Sequence, residues 1–157
     1  MFTKYLLIFL VSMVPLIELR GAIPMAVGMG LNYWESLVIC VIGNMLPVPV
    51  IYFFARKVLI WGADKKYIGK FFRFCLEKGE RAGQKLTKAA GRKGLFFAIL
   101  LFVGIPLPGT GAWTGTLGAS FLNMGFKSTV AAVSLGVILA GCIMGIVSIT
   151  GVHLFGL

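Results

Sequence analysis

The stretch Glu18-Leu19-Arg20-Gly21-Ala22-Ile23-Pro24 decides how this chain is read. It sets one acid and one base two residues apart between apolar runs, since residues 5–17 and 21–31 carry no charge. A charge at bilayer depth costs at least ~2.5–3.5 kcal/mol, so it faces protein or water and marks a working site by default. Gly21 and Pro24 are expected to break the helix here. Non-helical backbone at that depth is tolerated only inside protein or beside a water-filled cavity. The stretch therefore reads as the tip of a helical hairpin dipping into a bilayer, with a candidate transport site at the tip. The alternative is a short turn outside the bilayer between two ordinary spans.

The bulk composition agrees with a bilayer. Of the 157 residues 59% are hydrophobic and 13% charged, where a soluble domain is about a quarter charged. The mean hydropathy is +0.96. A spanning helix needs about 20 apolar residues, so five or six passes are the ceiling. The net charge of +10 is concentrated. Residues 56–93 hold twelve of the fifteen bases against Asp64, Glu77 and Glu80, a net +9. The basicity thus belongs to one loop between membrane segments and excludes a nucleic-acid reading. Such a loop is expected in the cytoplasm, against anionic lipid head groups. Cys40, Cys75 and Cys142 have no metal-ligand spacing and His153 is the one histidine, so no metal, cofactor or disulfide framework is expected. No Ser/His/Asp or Cys/His set can be assembled, and an enzyme is not expected.

The order of segments suggests a duplication. Residues 5–17 and 22–31 are too short to cross: thirteen helical residues reach ~20 Å against a ~30 Å core. The basic start of the chain imitates a signal peptide, but no small-residue cleavage pattern follows, so it is expected to stay in the mature protein. Residues 34–60 can cross, with a break at Asn44-Met45-Leu46-Pro47-Val48-Pro49, where two prolines withhold helix donors. Residues 65–76 read as an interfacial amphipathic helix, weakened further on by Gly79, Gly83 and Gly91. Residues 94–105 are short again, then Pro106-Leu107-Pro108-Gly109-Thr110-Gly111 breaks the chain. Residues 112–122 are short and residues 129–155 can cross. An offset of 88 aligns Ile17, Leu19, Gly21 and Gly30 with Ile105, Leu107, Gly109 and Gly118.

The expected fold is all-α integral membrane, a single domain over 1–157. It comprises repeat one (1–61), a basic cytoplasmic linker (62–93) and repeat two (94–157), each repeat a re-entrant helical hairpin plus one transmembrane helix. One crossing per repeat makes the repeats inverted, with both termini outside and the interrupted segments meeting near the midplane. Three full crossings per half give the same orientation. Two complete spans make a thin wall around a pathway, so a homodimer is expected, with Gly141 and Gly145 as a candidate contact.

Candidate substrate-binding residues follow from the two breaks. Arg20 offers a planar fork of donors suited to phosphate or carboxylate. Glu18 offers a carboxylate that can exchange a proton for a cation. Gly21, Pro24 and Asn44 accompany them at the breaks. In the second break Pro106, Pro108, Gly109, Thr110, Gly111, Trp113 and Thr114 supply amides, hydroxyls and a ring. A glycine-rich turn opening a helix can hold an anion on its N–H groups.

Three motifs in order carry a resemblance: residues 18–24, residues 43–49, and Ile105 through Gly115. They resemble the signatures of the small multidrug export family over essentially the whole chain. That family is similar, more distantly, to the DedA/VTT membrane proteins. The resemblance implies a transporter with Glu18 and Arg20 as its charged centre. It also implies inverted hairpin-plus-span repeats and movement of undecaprenyl phosphate or other phospholipids, often with proton dependence. DedA proteins tend to carry arginine in the second hairpin. Pro106 to Gly118 has none, so a two-arginine phosphate clamp does not carry over. Three functions follow as expectations: a carrier of an anionic polyprenyl or phospholipid head group, a proton-coupled exporter of small amphipathic cations, or a non-transporting membrane-assembly protein.

Overall fold

The computed structural model describes residues 1–15 and 17–155, and among them forms seven α-helices. They are α1 (Phe2–Met13), α2 (Glu18–Gly28), α3 (Tyr33–Met45), α4 (Val48–Ala63), α5 (Gly69–Gly104), α6 (Ala112–Phe121) and α7 (Phe126–Phe155). Two stretches are long and apolar enough to cross a bilayer. One is Tyr33–Ala63, 31 residues formed by α3 and α4, and the other is Phe126–Leu154, 29 residues of α7. The helices α1, α2 and α6, at 12, 11 and 10 residues, reach less than ~20 Å each.

The first break lies upstream of where glycine and proline suggested it. Val14, in front of Pro15, takes the extended conformation (φ −73°, ψ 127°) and stops α1 at Met13, because the proline ring disfavours the helical region for the residue before it. Gly21 and Pro24 do not break the chain; both lie inside α2. Pro24 withholds a donor only from the carbonyl of Arg20, in the first turn, and the rest of the short helix continues. The break between α3 and α4 falls at Leu46-Pro47, as the prolines indicate.

The basic segment is more ordered than its glycines suggest. Helix α5 runs for 36 residues and is interrupted once, at Gly91 (φ 71°, ψ 178°). Gly79 and Gly83 do not weaken it. A Cβ on Gly79 would strike the carbonyl of Phe121, and one on Gly83 that of Leu122. They are the positions where α5 lies backbone to backbone on the end of α6.

Packing follows one scheme in both halves. Helix α1 packs on α2 and α3; α5 packs on α6 and α7; α2 crosses to α7 and α6 crosses to α4. Gly43 of α3 lies against the Phe9 carbonyl and Ser12, and Gly136 of α7 lies against the Leu100 carbonyl and Val103. The helix ends also correspond. After α2, Leu31 N donates to Ala26 O (3.0 Å) and Gly30 sits at φ 70°. After α6, Met124 N donates to Ala119 O (2.9 Å) and Asn123 sits at φ 57°. This is a left-handed helix stop, a position that favours glycine or asparagine. Corresponding residues stand 91 apart in the first helices and 93 apart beyond the tips. The spacing grows by two because the second tip is longer than the first, and neither spacing is the 88 read from four identities.

Candidate functional site

The first tip delivers its charges to the backbone of the second. Glu18 opens α2 in a left-handed conformation (φ 50°) and is 6% exposed. Its Oε2 accepts from the Ala112 amide and its Oε1 from the Trp113 amide, both at 3.2 Å. These are the first two residues of α6. The carboxylate occupies the positive end of that helix, where orphan N–H groups and the dipole favour an anion. Gly111 makes the approach possible, since a Cβ there would collide with the carboxylate.

Arg20 goes to the opposite kind of end. Its Nη2 donates to Val103 O (3.1 Å), Ile105 O (3.2 Å) and Thr110 Oγ1 (2.8 Å), and its Nη1 donates to Leu107 O. The acceptors are the last carbonyls of α5 and the turn beyond it. Pro106 holds Ile105 extended (φ −80°, ψ 118°), and Gly109 turns the chain at φ 81°, so that three carbonyls and a hydroxyl converge on one guanidinium. Thr110 Oγ1 lies within bonding distance of Ile105 O (2.9 Å) and Leu107 O (3.0 Å), closing the loop from inside. One bond runs the other way: Trp113 Nε1 donates to Met13 O (3.2 Å), at the end of α1. The pair at i, i+2 thus forms a clasp between two tips in which acid and base each take a helix terminus of complementary sign.

Of the residues expected at the site, Glu18, Arg20, Thr110, Gly111 and Trp113 are joined directly. Pro106, Pro108 and Gly109 shape the turn that presents the carbonyls. Thr114 bonds within its own helix, to Gly111 O at 3.4 Å. Gly21 faces Ile17, and Pro24 has no place in the clasp's hydrogen bonds. Asn44 is 2% exposed at the end of α3, and its Oδ1 has no partner among the described residues. Four participants carried no sequence signal, because Met13, Val103, Ile105 and Leu107 act through main-chain oxygens that any residue supplies. The glycine pair Gly141 and Gly145 faces inward: a Cβ there would meet Leu37 and Tyr33 respectively, and Tyr33 OH donates to Gly141 O (3.2 Å). Among the described residues no cluster of three His, Cys, Asp or Glu side chains could hold a metal.

Chemically the site is a ring of helix ends around one cation and one anion; the Glu18 side is buried, as are Ala22, Ile23, Ala112 and Val103, while the Arg20 side is open beside the exposed Ile105 and Leu107. Two apolar stretches of spanning length, with a charged clasp joining the short helices packed against them, are the features of a helical membrane protein. The chain belongs to the family described as "Putative small multi-drug export protein", whose sequence model matches residues 18–143 and so takes in both tips. No curated protein and no solved structure matches it.

Proposed function

We infer that this protein is a transporter rather than an enzyme, and that it carries an anionic, phosphate-headed lipid of the polyprenyl phosphate or phospholipid class across the cell membrane with proton coupling. One observation carries the reading: the two α6 amides that would bind a substrate anion are held by Glu18 at 3.2 Å. The carboxylate is a built-in competitor for the phosphate. Its charged neighbour is Arg20, whose four acceptors are uncharged. When Glu18 takes up a proton it no longer matches the amides, and a phosphate can replace it, with Arg20 alongside as the fixed cation. Loss of that proton returns Glu18 to the amides and expels the anion.

The architecture that suits this cycle is a pair of inverted repeats. Each is a re-entrant hairpin (α1 with α2; the part of α5 after Gly91 with α6) followed by a span. Supporting it are the matching glycine contacts at Gly43 and Gly136, the matching helix stops, and the reciprocal crossing of α2 to α7 and α6 to α4. The helices of the hairpins are too short to cross. The basic segment is then cytoplasmic, both termini are outside, and a homodimer completes the wall around the pathway. It is also the plan that the resemblance to DedA/VTT proteins read from the sequence would imply.

The family's description as a multi-drug exporter favours a second reading, here export of small amphipathic cations with Glu18 as the exchanging group. Proteoliposomes of purified protein separate the two. Labelled polyprenyl phosphate should move, and Arg20→Ala should abolish that movement. Movement of a lipophilic cation alone, with Arg20→Ala unimpaired, would establish the second reading. Movement of neither would make the chain a membrane-assembly protein.

A further inference from the structure

A second polar site lies away from the clasp, at the end of the molecule that carries the basic segment. A cavity of about 630 Å³ opens between one face of α5 and the turn joining α6 to α7, a size typical of ligand sites. Gln84, Thr87, Lys88 and Arg92 line it from α5, and Asn123 and Ser128 from the turn and the start of α7. Every one of these side chains can donate a hydrogen bond, and two are cations. Glu80 at one edge is the single acid in the lining. Neither Lys88 nor Arg92 forms an ion pair among the described residues, where the one ion pair is Glu77 with Arg81 at 3.8 Å.

The walls are built rather than loose. Gly79 and Gly83 bring the α5 backbone onto Phe121 and Leu122. Tyr52 OH, from α4, donates to Met124 O at 2.6 Å and fixes the turn. Leu95, Leu122 and Met124 give the cavity an apolar floor. The corresponding place in the first half is built for the opposite charge. Asn32 caps α3 by accepting from Trp34 N (2.9 Å) and Glu35 N (3.3 Å), with Glu35 in that turn. Ninety-three residues on stand Gly125 and Ser128, which bring neither a capping carbonyl side chain nor a carboxylate. The first turn of α7 therefore adds its own positive end to Lys88 and Arg92.

We propose that this cavity binds a phosphate group, of a lipid at the membrane interface or of a soluble ester, through Lys88, Arg92 and the donors of the α6–α7 turn. A guanidinium and an ammonium on one wall facing neutral donors on the other is the donor set that a phosphate oxygen triad requires, and basic pockets beside membrane helices take lipid head groups in this way. The site is separate from Glu18 and Arg20, and its occupancy does not depend on transport.

Calorimetric titration of the full chain in neutral detergent tests it with three probes: short-chain phosphatidic acid, phosphatidylcholine of the same chain length, and inorganic phosphate. Phosphatidic acid should bind, and Lys88→Gln/Arg92→Gln should weaken it about tenfold or more. Lys85→Gln/Lys93→Gln, which removes the same charge outside the cavity, should change it less than about twofold. Ser128→Glu should weaken it as the cavity pair does. Inorganic phosphate binding as tightly as phosphatidic acid assigns the cavity to soluble phosphate; selective phosphatidic acid binding assigns it to lipid. Equal losses in the two double variants, undiminished binding in the cavity pair, or binding of neither phosphate probe would overturn the proposal.

Discussion

Glu18 and Arg20 are two opposite charges two residues apart that do not pair with each other. A helix places i and i+2 on different faces, and the left-handed φ of 50° at Glu18 turns its carboxylate toward α6 instead. That conformation costs ~1–2 kcal/mol in a residue other than glycine, and two charged hydrogen bonds at ~1.5–3 kcal/mol each offset it. Arg20→Ala strips a donor fork from three carbonyls and should lower stability by about 3 kcal/mol, read as the unfolding midpoint of the protein in detergent. Arg20→Lys should recover part of this, since an ammonium keeps the charge without the planar fork. Gly111→Ala tests the other half of the clasp. Its backbone is extended (φ 170°), so the methyl is no burden on the chain, but it collides with the Glu18 carboxylate. It should free the α6 amides and raise affinity for a phosphate-headed lipid above wild type at neutral pH; unchanged affinity would mean that the carboxylate is not what blocks them. The charged pair and the glycine-rich second tip were legible in the sequence. Their mutual arrangement was not, since the acceptors of Arg20 are the carbonyls of Val103, Ile105 and Leu107, and main-chain oxygens carry no residue signature.

At the scale of helices, length and proline were good guides and glycine was a poor one. Pro15, Pro47 and Pro106 sit at interruptions because a proline constrains both itself and the residue before it. Pro24 lies inside α2 because the carbonyl it leaves unpaired is in the first turn. Glycine is ambiguous between a flexible position and a close contact, and only the partner decides. Gly79 and Gly83 meet a partner about forty residues further along, beyond the reach of any local pattern. Gly79→Leu or Gly83→Leu should push α5 off the end of α6 and cost about 1–3 kcal/mol. Gly91→Ala has a different physical basis. Nothing lies within 4 Å of its added Cβ, so the loss of about 1–3 kcal/mol comes from the backbone region alone. Equal unfolding midpoints for Gly91→Ala and wild type would show that the bend of α5 does not persist.

Across the whole molecule the two tips divide the chemistry. The first contributes both charges of the clasp; the second contributes helix ends and a tryptophan donor; the basic segment lies between them. The proposed inverted plan would put Cys75, half-buried on the basic segment, on the cytoplasmic side. A membrane-impermeant thiol reagent should label it in inside-out vesicles and not in intact cells, while Cys40 stays protected in the core. Labelling from the outside would reverse the orientation. The hydropathy pattern made the membrane class and the break order readable. The spacings of 91 and 93 at which glycine contacts and helix stops match were not readable, because few identities accompany them.

The competition between Glu18 and a substrate anion for the α6 amides is tested most directly by one binding titration. A phosphodiester-headed lipid is the probe, since a monoester changes charge near pH 6 and would add its own pH dependence. Affinity is measured between about pH 5 and pH 8 for wild type and Glu18→Gln. Affinity in wild type should rise as pH falls and Glu18 takes up its proton. The Glu18→Gln variant should bind at the wild type's low-pH level throughout, without pH dependence. Wild-type binding that is flat across this range, or a pH response that survives in the variant, would contradict the account.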